Sequence, residues 1–115
     1  MIIKGMTAQL TRTITTDETA ERVRSGSLPV LATPVLSAAM EEAACKVLAP
    51  HLAEGETTVG GSISLIHKAP TLPGHTITVT AADENGDIGE ADHERFLVDS
   101  AKFMEKAEKR NGENR

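Results

Sequence analysis

Residues 32–44 read Ala32-Thr33-Pro34-Val35-Leu36-Ser37-Ala38-Ala39-Met40-Glu41-Glu42-Ala43-Ala44, a mostly apolar run with two acids in its middle. Thr33 is a good helix N-cap and Pro34 a good first helical residue. From there Val35, Leu36, Ala39, Met40, Ala43, Ala44, Val47 and Leu48 recur at helical spacing, and Pro50 stops the run. The apolar stripe is wide, as expected of a central helix lying against a sheet. Two acids interrupt it. Glu41 and Glu42 fall on its opposite borders, so periodicity alone leaves open which of them faces a site. Both could simply reach water; a carboxylate at the edge of a dry pocket could instead serve as base or nucleophile.

The flanks supply the sheet. Thr7 to Thr16 alternates, with Leu10, Arg12 and Ile14 on one side and threonines on the other, and predicts a strand. Asp17 to Glu21 predicts a short helical turn or loop. Ser25-Gly26-Ser27 is a loop, and Leu28 to Leu31 runs extended into the helix. Beyond a turn at Glu54-Gly55-Glu56, Thr57 to Lys68 predicts a strand, interrupted at Gly60-Gly61 by a bulge or a close backbone approach. Thr76 to Thr80 alternates strictly. Asp83 to Asp87 is a tight-turn sequence, Ile88 to Val98 a long strand, and Ala101 to about Lys109 a terminal helix capped by Asp99 or Ser100. One helix followed by antiparallel strands makes the fold class α+β.

At 115 residues the chain is sized for one domain. With two Phe and no Tyr or Trp, the core must be aliphatic, and the aromatic faces on which single-stranded bases stack are lacking. A net charge of −5 argues against a duplex-DNA partner. Cys45 stands alone, which fits a reducing compartment, and its apolar neighbours suggest a small core residue. The N-terminus has no signal-like apolar stretch and no segment approaches membrane-spanning length. The expectation is a cytoplasmic protein with neither nucleic acid nor membrane as partner.

Chemistry-bearing residues are few. His51, His67, His75 and His93 show no metal-ligand spacing, so no metal is expected. Gly60-Gly61 is not a dinucleotide-binding pattern, and no GxSxG elbow occurs. Thr33 at a helix start and His67 at a strand end each have an ordinary structural explanation, the first as a cap and the second as a hydrogen-bonded surface group.

Their arrangement is more specific. SGSLPVLATPVLSAAMEEAA, then EGETTVGGSISLIHKAPTLPG, then ENGDIGEADHERFLVDSAKF, resembles the hotdog-fold thioesterases of the fluoroacetyl-CoA thioesterase type over nearly the whole chain. The resemblance implies an antiparallel β-sheet wrapped around one long central α-helix, pairing as a homodimer with acyl-CoA in a cleft between subunits. It places the family's helix-start threonine on Thr33, its helix carboxylate on Glu41 and its strand-end histidine on His67 as catalytic residues. The glycine whose amide approaches the thioester carbonyl falls on Gly60, and a second substrate-binding position falls on Arg95, which could pair with an acid or with a CoA phosphate. No cofactor is implied, because coenzyme A belongs to the substrate. Thr33 and Glu41 are eight residues apart, about 12 Å along a helix axis, which suggests a composite site shared across a dimer.

Two departures qualify the resemblance. Between Thr80 and Asp83 the family carries about fifteen more residues, a hairpin's worth. Either the domain lacks that hairpin or chain is missing between Ala81 and Ala82, the reading preferred here. Ser25 to Leu31 also has no aromatic to form a lid over a small acyl group. The expected activity is therefore hydrolysis of a short or unusual acyl-CoA rather than fluoroacetyl-CoA in particular. The alternatives are a non-catalytic hotdog module that binds an acyl-CoA or small acid and, last, an enoyl-CoA hydratase, whose Asp and His near the helix start are missing from Thr33 to Ser37.

Overall fold

The computed structural model describes residues 9–80 and 89–112. In chain order these form β1 (Gln9–Thr13), a 3₁₀ turn (Thr16–Glu18), α1 (Ala20–Val23), α2 (Thr33–Leu48), a second 3₁₀ turn (Ala49–His51), β2 (Glu56–His67), β3 (Thr76–Thr80), β4 (Gly89–Asp99) and α3 (Ser100–Gly112). The tight turn expected at Asp83 to Asp87 and the Ala81–Ala82 junction lie outside the described residues.

The strands pair antiparallel in two ladders. β1 pairs with β3 from Gln9↔Thr80 to Thr13↔Thr76, and β2 pairs with β4 from Glu56↔Asp99 to His67↔Gly89. α2 lies against β1, β2 and β3, so it spans both ladders. The core forms where its buried residues Leu36, Ala39 and Ala43 meet Ile14, Leu31, Ile77 and Val79. Removing one of the core's Leu, Ile or Val side chains from water is worth about 1.5–3 kcal/mol. The core is as aliphatic as the composition requires.

The register of β2 slips between Gly60 and Ser62, leaving Gly61 as the extra residue of a bulge. The slip has a positional consequence. Side chains alternate along a strand, so an even-numbered Gly60 and an odd-numbered His67 would ordinarily face opposite ways. One inserted residue resets the alternation. Gly60 is opposite Arg95 and His67 is opposite Gly89, six residues apart on β4, so both lie on one face of the ladder. Gly61 itself must lack a side chain, because a Cβ there would run into the Phe96 ring.

Two local expectations are corrected. The N-cap of α2 is Ala32, not Thr33. Ala32 is extended (φ −73°, ψ 138°), donates its N–H to Glu18 O at 2.9 Å, and accepts the N–H groups of Val35 and Leu36 at 3.0 Å each. The strap between the 3₁₀ turn and the helix entry therefore sets the helix start one residue early, and Thr33 becomes the first helical residue. Cys45 is exposed. At about 100° per residue it falls opposite the buried line of Leu36, Ala39 and Ala43, so apolar sequence neighbours did not place it inside.

Candidate active site

The extended segment ahead of α2 is pinned on both sides. Leu31 N donates to Thr71 O at 2.8 Å and Ala20 N to Val30 O at 2.8 Å, while Thr19 and Leu31 form an isolated bridge. Thr33 thus starts its helix from a fixed backbone. Because Ala32 does the capping, the Thr33 hydroxyl is spare, and it meets His67 Nδ1 at 2.9 Å. His67 ends β2 on the face the bulge turns toward α2. Its Nε2 is buried and has no hydrogen-bond partner among the described residues. Buried polar atoms in folded proteins are mostly hydrogen-bonded, so this one stands out.

Two turns along α2, Glu41 makes a second cluster. Arg95 Nη1 donates to Glu41 Oε2 at 3.2 Å. Arg95 Nε donates to Thr58 Oγ1 at 3.0 Å and Nη2 to the Thr58 carbonyl at 3.1 Å. The guanidinium is largely buried, its side chain 12% exposed, whereas the Glu41 side chain is 38% exposed and open to water on one flank. Gly60 lies beneath the pair: a Cβ there would sit 2.6 Å from Glu41 Oε2 and 3.4 Å from Arg95 Nη1. The missing side chain is what lets the carboxylate lie against β2.

The two acids of α2 divide as their positions on the stripe allow. Glu41 turns toward β2 and β4. Glu42 is more exposed and turns toward β1, where Arg12 Nη1 comes within 3.9 Å of its Oε1. The structure therefore brings Thr33 to His67, and Glu41 to Arg95 and Gly60, as two separate clusters along one helix. Arg95, left open in the sequence between an acid and a phosphate, is paired with an acid. Thr58 was not foreseen, although Thr58 and Gly60 are two apart on one strand and a strand period places them on one face.

Antiparallel ladders packed against one long central helix are the architecture of the hotdog fold. Residues 14–82 match the family described as fluoroacetyl-CoA-specific thioesterase. A fluoroacetyl-CoA thioesterase of Streptantibioticus cattleyicolor is 34% identical over 93 residues, covering 67% of this chain and 67% of its own. The solved structure of a Phe-to-Ala mutant of a fluoroacetyl-CoA-specific thioesterase superimposes with a TM-score of 0.84 at 24% identity, over 96% of this chain and 98% of that one, and shows the common fold. A Thermus thermophilus thioesterase superfamily member gives 0.83 at 28% identity, over 99% and 96%. The chain belongs to the fluoroacetyl-CoA-specific thioesterase family and is a thioester hydrolase of the hotdog fold.

Proposed function

We propose that this chain hydrolyses a short or unusual acyl-CoA to the free acid and coenzyme A, with Glu41 as the base or nucleophile. The observation that carries the reading is the Glu41 carboxylate held by Arg95 over a bare Gly60. As base, Glu41 takes a proton from water while the water oxygen bonds to the thioester carbonyl carbon. Collapse of the tetrahedral intermediate breaks the C–S bond, and the leaving thiolate takes a proton. As nucleophile, a carboxylate oxygen makes that bond itself, and water then cleaves the resulting anhydride. In either route the Gly60 N–H stabilises the oxyanion. The Thr33–His67 pair is suited to moving the proton, since an imidazole both accepts and donates protons and the buried Nε2 is available to a group the substrate brings. CoA enters as part of the substrate, and no cofactor or metal takes part.

Two clusters separated along α2 favour a homodimer in which one subunit's Glu41 works with the other's Thr33 and His67. The shape of the subunit supports this. Its radius of gyration is 16.3 Å, against about 13 Å for a compact domain of this length. Ile66, Phe96 and Leu97 on β2 and β4, and Phe103 and Met104 on α3, are all exposed. Among the described residues no helix is long and apolar enough to cross a membrane. The proposed location is the cytoplasm, which a single cysteine fits.

Fluoroacetyl-CoA is not singled out as the substrate, because the segment before the helix, SGSLPVL, offers Leu28 to solvent and no aromatic ring. Thiol release from a panel of acyl-CoAs, fluoroacetyl-CoA included, tests the proposal. Turnover of another short acyl-CoA above fluoroacetyl-CoA is expected. Saturable binding without turnover of any member would replace the enzyme by a binding module.

A further inference from the structure

We infer that Thr58 is a positioning residue for thioester hydrolysis: it fixes the Arg95 guanidinium, and through it the Glu41 carboxylate. The inference rests on the reading of Glu41 as the base or nucleophile.

Arg95 is opposite Gly60 in the ladder, not opposite Thr58, whose own partner is Leu97. Its side chain therefore runs diagonally across β2, a reach available to long side chains between antiparallel strands. At the end of that reach Thr58 offers two acceptors of different kinds. The hydroxyl takes Nε at 3.0 Å and the main-chain carbonyl takes Nη2 at 3.1 Å. Two bonds to one residue fix the plane of a guanidinium, which one bond cannot do. With the plane fixed, Nη1 has one direction to point, and it points at Glu41 Oε2, 3.2 Å away. Glu41 gains from such a hold, because it arises from the middle of a helix with three rotatable bonds and its side chain is 38% exposed. A catalytic carboxylate displaced by about 1 Å can cost two orders of magnitude in rate. Both of these Thr58 hydrogen bonds go to Arg95 and not to the carboxylate.

The hydroxyl is the only part of this arrangement that a side-chain substitution removes cleanly, because the carbonyl remains. Thr58→Val is close in shape and a good strand former, so the ladder is kept. Its kcat for acyl-CoA hydrolysis is expected to fall about tenfold, in line with loss of a hydrogen bond to a charged group, while KM stays within about twofold. Thr58→Ser, which restores the hydroxyl, returns kcat to within about twofold of wild type. Arg95→Lys removes the Nε donor, so Thr58→Val placed on Arg95→Lys adds less than about twofold. Melting curves accompany each variant, and should the Val variant fail to fold, Thr58→Ala is read against the same thresholds. Wild-type kcat in Thr58→Val, with Glu41→Gln inactive, would overturn the inference and leave the role of Glu41 standing. A full tenfold loss on top of Arg95→Lys would also overturn it, by showing that Thr58 acts other than through Arg95. Undiminished thiol release in Glu41→Gln would remove the reading on which the inference rests.

Discussion

At Gly60 a methyl group would come within 2.6 Å of Glu41 Oε2. The obstructed atom is the end of a flexible side chain, so the backbone need not move; the carboxylate must. Gly60→Ala is therefore expected to leave stability within about 0.5 kcal/mol of wild type and to lower kcat by more than about tenfold. Thermal melts and thiol-release kinetics on the same preparation separate the two effects; a variant equally stable and equally active would show that Glu41 need not lie where Gly60 allows it. The residue scale is also where the sequence was least complete. Thr33, Glu41, His67, Gly60 and Arg95 could be named through resemblance, but helical periodicity could not choose between Glu41 and Glu42. That choice is made by ion-pair partners on different strands, Arg95 for one and Arg12 for the other. Thr58 escaped notice because the group it holds is 37 positions away.

Among the elements, α2, β2, β3 and β4 were legible nearly to their ends, since each has a clear period and a turn sequence beside it. Asp99 caps α3 as anticipated, its Oδ1 accepting the Lys102 N–H at 3.0 Å. The start of α2 was misjudged by one residue because the decisive bond, Ala32 N–H to Glu18 O, comes from an element the sequence showed only as a turn. That turn is held by charge. Burial pushes the Glu18 carboxyl up, but the Thr15 N–H, the Arg12 guanidinium and the Thr15 hydroxyl together bring it below its ordinary value. Arg12 also ion-pairs with it directly. A depressed carboxylate contributes stability that is present above its unfolded value, about 4.3, and is lost as pH falls through the folded value. Glu18→Gln should therefore melt below wild type at pH 6, and the gap should narrow at pH 3. A gap that is constant with pH would mean that the Glu18 charge is not what holds the turn.

For the whole molecule, the order of elements led to the α+β class and the resemblance of three motif-bearing stretches led to the hotdog fold, and the ladders and helix agree. The described strands form two ladders rather than one continuous sheet. Thr33–His67 and Glu41–Arg95 stand apart along α2, and the proposal of a site shared across a dimer rests on that separation. A composite dimer predicts complementation. Thr33→Val and Glu41→Gln, each inactive alone, should regain activity when mixed under conditions of subunit exchange. Random pairing gives one intact site in half of the dimers, or about a quarter of wild-type activity. No recovery from mixed dimers, verified by differential tags, would place the site within one subunit.

Thioester hydrolysis is proposed to rest on the Glu41 carboxylate. Thiol release from short acyl-CoAs, wild type beside Glu41→Gln at equal folded concentration, tests it most directly. Steady release by the wild type and loss of at least about a hundredfold in the variant, with the melting transition retained, is the predicted result. Equal release by the two proteins would contradict the account.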